Sequence, residues 1–279
     1  MPLVVCPTPI GNLEDITLRT LRELAGADLV LCEDTRRTRV LLDRHGVRAR
    51  LLSFHRHNEA RRTAELLPRL EAGERIALAS DAGLPGVNDP GARLVGAVLE
   101  HGFEVTVLPG ASAVETALVA SGLVGERYTF LGYLPRARAG LDRLWGELAG
   151  WTWPAVAFES PRRLPASLAS LAEAHADRPV AVCRELTKRF EEVVRGRAEE
   201  VAGRFRTAPK GEVTVVIGGS STDAAGADDG EAEALAAVAV LVAAGTSRRL
   251  AAEVVGRLTG IPRNRLYRGS LDPAGRRHC

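Results

Sequence analysis

Four short stretches concentrate side chains that can move protons or grip anions. Glu33-Asp34-Thr35-Arg36-Arg37 and His55-Arg56-His57-Asn58-Glu59 each place both signs of charge within a few residues. Phe158-Glu159-Ser160-Pro161-Arg162-Arg163 and Arg184-Glu185-Leu186-Thr187-Lys188-Arg189 repeat the combination further along. Arginine grips phosphate through its paired N–H groups, and a carboxylate or an imidazole can take a proton. The plain alternative is a set of solvated helix starts, where acidic groups favour the first turn. Lys188 stands out by composition, because Lys188 and Lys210 are the only lysines among 37 basic residues. An amine can release a proton and a guanidinium cannot, so this position suits proton chemistry or a compact charge, or else an exposed structural lysine. His55 and His57 lack the Cys or His neighbours that a metal triad needs, and no Ser-His-Asp set can be singled out.

Three other loops are rigid and nearly uncharged. They are Pro7–Leu13, Ser80–Gly91 and Pro109–Ala113. None carries the phosphate-cradling G-x-x-x-x-G-K-[ST] or the dinucleotide G-x-G-x-x-G pattern. Their prolines stiffen the chain and their glycines let backbone approach a ligand. Together they fit one extended small-molecule cofactor in a pre-formed cleft. The chain has no Gln and four Asn, and Asn12, Asn58 and Asn88 all fall in loops after strand-like runs.

Regular elements must hold these loops in place. Apolar runs at Leu3–Cys6, Asp28–Cys32, Leu51–Phe54, Ile76–Ala79 and Val105–Leu108 read as strands, each followed by a loop and an amphipathic helix. Five such units predict an α/β fold with a mostly parallel, doubly wound sheet over residues 1–122. Ligands of such sheets sit beyond the carboxyl ends of the strands. Residues 123–219 read as a second α/β domain with a mixed sheet, built on strands near Tyr128–Gly132, Ala155–Glu159, Val180–Cys183, Glu192–Arg195 and Val213–Ile217. The short connection between the runs around Cys183 and Val193 predicts an antiparallel hairpin. Residues 220–230 read as a flexible linker. Residues 231–279 read as a helical tail, with Ser247 capping its second helix and Pro262 opening a short basic third. That tail fits a helix-turn-helix or a plain helical cap equally well.

Composition narrows the classes. With 279 residues, 46% hydrophobic, the chain can bury cores of two domains and is not a disordered one. A net charge of +2 excludes a chain that holds nucleic acid by bulk charge, leaving that task to local clusters. Its apolar runs are too short to cross a bilayer and no charged-then-apolar leader opens it, so the expectation is a cytoplasmic protein without a membrane. Cys6, Cys32, Cys183 and Cys279 show no metal or disulfide spacing, and the first three read as buried thiols.

The loops in order, Pro7-Thr8-Pro9-Ile10-Gly11-Asn12-Leu13-Glu14-Asp15-Ile16-Thr17, Glu33-Asp34-Thr35-Arg36, His57-Asn58-Glu59, Ser80-Asp81-Ala82-Gly83, Asn88-Asp89-Pro90-Gly91, Glu159-Ser160-Pro161 and Arg184-Glu185-Leu186-Thr187-Lys188, closely resemble one family. It is the ribosomal RNA small subunit methyltransferase I family, a branch of the tetrapyrrole-methylase-like enzymes. The resemblance runs from residue 3 to about 218, and the tail is similar to that family's C-terminal helix-turn-helix. It implies S-adenosylmethionine as methyl donor, a cleft between two α/β domains, a homodimer, and 2′-O-methylation of one cytidine ribose in 16S rRNA of the small ribosomal subunit. It implies cofactor contacts at Pro9, Gly11, Asn12, Leu13, Ser80, Asp81, Ala82, Gly83, Ser112, Ala113, Phe158 and Leu186. Leu84 stands where the family has Thr, and Phe158 where Tyr is common. Under that chemistry Asp34 is the expected base and Lys188 the charge that steadies the developing alkoxide. Arg36, Arg162 and Arg163 are expected on phosphate, with His57, Asn58 and Glu159 on substrate. Methylation of a tetrapyrrole on the same scaffold is the runner-up, and a non-catalytic rRNA-binding ribosome factor the third reading.

Overall fold

The computed structural model describes residues 3–220 and 226–271. The first half alternates strand and helix: β1 (Leu3–Cys6), α1 (Leu18–Gly26), β2 (Leu29–Cys32), α2 (Thr35–Arg44), β3 (Leu51–Ser53), α3 (Glu59–Glu71), β4 (Ile76–Ala79), α4 (Ala92–Glu100), β5 (Val105–Val107) and α5 (Ala113–Ser121). Its five strands are all parallel, in the order β3-β2-β4-β1-β5. β1, β2 and β4 are apolar at every position because both faces of the sheet are covered. On one face Leu3, Val5, Leu29, Leu31, Ile76 and Leu78 pack against Leu66 and Leu70 of α3 and Leu94 and Val98 of α4. On the other face Val4, Cys6, Val30, Ala77 and Ala79 pack against Leu24 of α1 and Leu42 of α2. The loops after β2, β4 and β1 therefore emerge side by side at one end of the sheet.

The second half runs β6 (Thr129–Tyr133), α6 (Arg138–Leu148), β7 (Ala155–Glu159), α7 (Leu164–Ala174), β8 (Pro179–Arg184), β9 (Glu192–Arg197), α8 (Ala198–Arg204) and β10 (Val213–Ile217). Its sheet has the order β6-β7-β10-β8-β9. β6 and β7 are parallel, β10 is antiparallel to both of its neighbours, and β8 and β9 form the expected antiparallel hairpin. Burial fixes its helices: the fully buried Trp145 of α6 donates its indole N–H to Ser170 Oγ of α7 at 2.9 Å.

One boundary differs from expectation. α5 lies before residue 122, yet its Val114, Ala117 and Leu118 pack on Val156, Ala181, Cys183 and Val216 of the second sheet, with Ile10 beside them. Apolar burial ties this helix to the sheet that follows it in sequence. Residues 3–149 and 153–218 accordingly form one compact unit.

The tail is a unit of its own. Residues 221–225 of the expected linker lie outside the described residues, and α9 (Gly226–Ala243) already begins at Gly226. α10 (Arg248–Thr259) starts at the Ser247 cap, whose hydroxyl accepts from Leu250 N–H at 3.4 Å. α11 (Arg263–Gly269) follows a left-handed Gly260 and Pro262. Ala234 and Val238, Ala251, Ala252 and Val255, and Leu266 join the three helices in a small core. Arg263 and Arg265 lie exposed on α11. Residues 272–279, with Cys279, lie outside the described residues. Cys6, Cys32 and Cys183 are buried thiols, and burial pushes Cys6 up to about 12 and Cys183 up to about 11. Among the described residues no helix is long and apolar enough to cross a membrane.

Candidate active site

A large cavity, about 970 Å3, opens where strand ends of both sheets converge, within the ~300–1,000 Å3 typical of small-molecule sites. Its floor is apolar. Ile10, Leu186 and the aromatic trio Phe130, Tyr133 and Phe158 line it, with Phe158 edge-on to Phe130 at 5.1 Å and to Tyr133 at 5.6 Å between ring centroids. Ala82 and Gly83 come from the loop after β4, and Ser112 and Ala113 from the start of α5.

Its polar rim is mostly anionic. Glu33, Asp81, Asp89 and Glu115 line it there alongside Arg37. Glu115 accepts from the hydroxyls of Ser112 and Tyr128. Burial pushes the Glu115 carboxyl up, but those two hydroxyls more than offset it and hold it below its ordinary value. Asp81 Oδ1 accepts from Asp34 N–H at 3.0 Å and its Oδ2 from Arg37 at 3.3 Å, so it locks the loop after β4 to the start of α2.

A second cavity of about 770 Å3 adjoins the first. Arg36, Arg56, His55 and His57 line it, and Glu33, Arg37, Asp81, Asn88 and Asp89 belong to both. His55 Nδ1 is shielded there and has no hydrogen-bond partner among the described residues. Asp89 is half-buried and its carboxylate makes no hydrogen bond or ion pair among the described residues. Burial pushes it up to about 6, helped by the nearby Glu33 and Asp81 and opposed by Arg56.

Of the residues expected from sequence, Asp81, Ala82, Gly83, Ser112, Ala113, Phe158, Glu159 and Leu186 line the large cavity, and Asp34, Arg36 and His57 line the second. Others are elsewhere. Pro9, Gly11, Asn12 and Leu13 do not line either cavity. Gly11 does permit a close approach, but to protein: a Cβ there would lie 2.5 Å from Lys188 Cγ and 2.9 Å from the Leu186 carbonyl. Asn12 N–H donates to Thr187 Oγ1 at 3.0 Å, and the Leu13 carbonyl meets His45 Nε2 at 2.8 Å. Apart from Ile10, this loop joins the two sheets' strand ends instead of facing the cavity. Ser80 is buried beneath the loop and donates to the Gly83 carbonyl at 2.7 Å. Gly83 sits at φ +77°, and both its N–H and its C=O pair with Thr8 at 2.9 Å, so its backbone zips two loops together.

The two expected catalytic residues are also engaged. Asp34 caps α2 by accepting from Arg36 N–H at 2.9 Å and also holds the Arg36 guanidinium at 2.9 Å. Hydrogen bonds from Arg36 hold the Asp34 carboxyl down at about 2, and the pairing occupies Arg36 as well. Lys188 Nζ bridges Glu185 at 2.9 Å and Glu212 at 2.8 Å and lines neither cavity. Burial pulls the Lys188 ammonium down, but the hydrogen bonds and charges of Glu212 and Glu185 outweigh it, so the amine holds its proton. Of the readings open from sequence, this pairing favours a fixed charge over a titratable amine.

On the substrate side, Asn58 is a turn residue, accepting from His55 N–H at 2.8 Å and donating to the Ser53 carbonyl at 3.2 Å. The Glu159 side chain is 0% exposed and is consumed by Ser160 N–H, Ser167 Oγ and Arg163. Arg163 also donates through Nη2 to the carbonyls of Leu134 and Pro135, and it lines neither cavity. Arg162 is exposed and lines neither cavity. Sequence reasoning gave no role to Asp89, Glu115, Tyr128 or Ile10, and it named Glu33 only as part of a charged cluster. Asp89 had a signal, since Asn88-Asp89-Pro90 embeds a carboxylate in a loop stiff enough to aim it.

The family pattern of the Tetrapyrrole (Corrin/Porphyrin) Methylases matches residues 2–202. A ribosomal RNA small subunit methyltransferase I of Micromonospora olivasterospora is 44% identical over 95% of this chain and 85% of its own. One of Mesorhizobium japonicum is 43% identical over 97% and 91%. Among solved structures, uroporphyrin-III C-methyl transferase from Thermus thermophilus, complexed with S-adenyl homocysteine, shares the fold at a TM-score of 0.54 and 20% identity over 78% of this chain and 97% of its own. The chain thus belongs to the tetrapyrrole methylases and, within them, to the ribosomal RNA small subunit methyltransferase I family.

Proposed function

We propose that this chain transfers the methyl group of S-adenosylmethionine to the ribose 2′-hydroxyl of a cytidine in 16S rRNA, as a cytoplasmic homodimer. The observation that carries the reading is the pairing of an apolar-floored, anionic-rimmed cavity with an adjoining one that bears arginines and histidines. The first suits a cationic small molecule with an aromatic base. Ile10, Phe158 and Leu186 would hold the apolar part, and the carboxylates of Asp81 and Glu115 would sit near its positive charge. The cofactor supplies a methyl carbon bonded to a cationic sulfur. The second cavity suits a phosphodiester, because arginine binds phosphate oxygens in pairs. The names of the relatives supply the substrate class, and the ligand of the Thermus structure is the demethylated form of the cofactor. What the protein must then do is mostly positioning: hold hydroxyl and methyl in line, exclude water, and accept one proton.

Transfer of tritiated methyl from S-adenosylmethionine tests this. Label should enter 16S rRNA of 30S subunits and survive in a 2′-O-methylcytidine after nuclease digestion. Label found on a base, or transferred only to a uroporphyrinogen, overturns it. Light scattering of the purified chain tests the homodimer.

A further inference from the structure

We propose that the Asp89 carboxylate takes the proton from the ribose 2′-hydroxyl, and that the arginine- and histidine-lined cavity beside it seats the nucleotide that carries this hydroxyl. The inference rests on the methyltransferase reading above and names the groups that reading leaves open.

Place is the first argument. If the methyl donor occupies the large cavity and the nucleotide the second, transfer must occur where the two meet. Five residues form that shared wall: Glu33, Arg37, Asp81, Asn88 and Asp89. Arg37 cannot accept a proton, and Asn88 has no basic group. Asp81 spends both oxygens on Asp34 N–H and Arg37. Glu33 is exposed to solvent. Asp89 is the half-buried carboxylate of the wall with no partner among the described residues.

Support is the second. Asn88 is held at φ +60°, a left-handed conformation uncommon outside glycine, and Pro90 fixes the next φ. Glu59 Oε1 accepts from Gly91 N–H at 2.9 Å and anchors the far end of the segment. Strain persists only where surrounding contacts impose it, and such positions cluster at functional sites.

Electrostatics is the third. Asp89 is pushed up to about 6 by burial and by Glu33 and Asp81, with Arg56 pulling the other way. Asp34, Arg36, Arg37, His55 and His57 complete the charged and titratable surroundings. A carboxylate in that range is ionised at neutral pH yet more basic than an ordinary aspartate, which suits a general base. The step balances without a further reactant. The hydroxyl proton passes to Asp89 Oδ, the oxygen lone pair forms the new C–O bond, and the electron pair of the broken C–S bond stays on sulfur. Asp89 then returns its proton to solvent.

Carbon-13 NMR of the Asp89 carboxyl in the full chain, without cofactor or RNA, should show titration near pH 6, and Glu33→Gln should move it down. Asp89→Asn should bind S-adenosylmethionine as the wild type does, while methylation of 30S subunits at pH 8 falls on the order of a hundredfold or more. The acidic limb of the wild-type kcat/KM profile should vanish in that variant and shift down in Glu33→Gln. Arg56→Ala should raise KM for the subunit and flatten its salt dependence, since one phosphate contact is lost. An Asp89 that titrates as an ordinary aspartate, or an Asp89→Asn variant within a few-fold of wild-type turnover, overturns the proposal and leaves the methyltransferase reading intact. A wild type that binds the cofactor but never methylates rRNA overturns that reading first, and the proposal with it.

Discussion

The loop after β4 and the turn after β8 both cap strand ends beside the large cavity, and both contain strained backbone. Asn88 sits at φ +60° in the first, and Glu185 at +53° and Thr187 at +64° in the second. They differ in what happens to their charges. Around Glu185 the carboxylates and Lys188 are answered: Lys188 bridges Glu185 and Glu212, Glu212 N–H donates to Glu185 Oε1 at 2.9 Å, and Thr187 N–H donates to Glu191 at 2.6 Å. In the loop after β4, Asp89 is left without a partner among the described residues. Strain with satisfied charge makes a joint, and here that joint receives Gly11 and Asn12 of the loop after β1. Strain with an unsatisfied carboxylate at a cavity wall keeps a group available for chemistry.

Substitutions at satisfied and unsatisfied charges should therefore move stability in opposite directions. The largest loss is expected at Glu159, whose buried carboxylate accepts from three donors, Ser160 and Arg163 in the turn after β7 and Ser167 on α7. Glu159→Gln leaves the Arg163 guanidinium half-answered, and urea unfolding should show a loss of about 3 kcal/mol. A loss below about 1 kcal/mol would mean that this carboxylate is not the clamp its contacts describe.

Gly83→Val comes next. A β-branched residue at φ +77° is strained by roughly 1–2 kcal/mol, and the strain falls on the Thr8 bridge that shapes the cavity edge. The protein should stay folded, and calorimetry should show at least about tenfold weaker binding of S-adenosylmethionine, tenfold being 1.4 kcal/mol. Unchanged affinity would show that the cavity does not depend on this bridge.

Lys188→Met removes the cation between two carboxylates. Glu212 is well exposed, so solvent screens part of the repulsion, and a loss of about 1–2 kcal/mol is expected. Lys188→Arg should recover part of it. Turnover at saturating cofactor should fall far less than in Asp89→Asn. A hundredfold fall in Lys188→Met with normal stability would return Lys188 to the chemistry and erase the contrast between the two regions.

The same contrast explains what could be read in advance. The parallel sheet was legible because β1, β2 and β4 are continuous apolar runs between loops rich in turn residues, and burial on two faces demands that pattern. Family resemblance named Asp81, Ala82, Gly83, Ser112, Ala113, Phe158 and Leu186 together, and one cavity gathers them. The use of each charge was not legible. Asp34 and Asp89 are alike in sequence terms, aspartates in loops after strands. Arg36 lies two residues from Asp34 and neutralises it locally, whereas the neighbours that set Asp89 are Glu33, Arg56 and Asp81, drawn from loops brought together only by folding. Gly11 shows the same limit: its spacing announced a close approach, but not that the approaching atoms would be Lys188 and Leu186.

The smallest effect, and the one with the opposite sign, belongs to Asp89. Its folded value of about 6 lies above the roughly 3.9 of an unfolded aspartate, so the folded state holds the proton more tightly. Folding is then favoured below that unfolded value, and the advantage is lost as pH rises through 6. Above pH 7 the charged carboxylate is a standing penalty. A full two-unit shift would amount to about 2.7 kcal/mol, and solvent reaching the half-buried group reduces this to on the order of 1 kcal/mol. Asp89→Asn removes the charge and keeps the shape. Its melting temperature should exceed that of the wild type at pH 7.5, and the gap should close between pH 6 and pH 4. Natural active sites often give up stability in this way, and removing the chemical group recovers it. A gap that stays constant with pH would mean that Asp89 is not ionised under strain. A less stable Asn variant at pH 7.5 would mean that its charge is answered after all, and the loop after β4 would then be a joint of the same kind as the turn after β8.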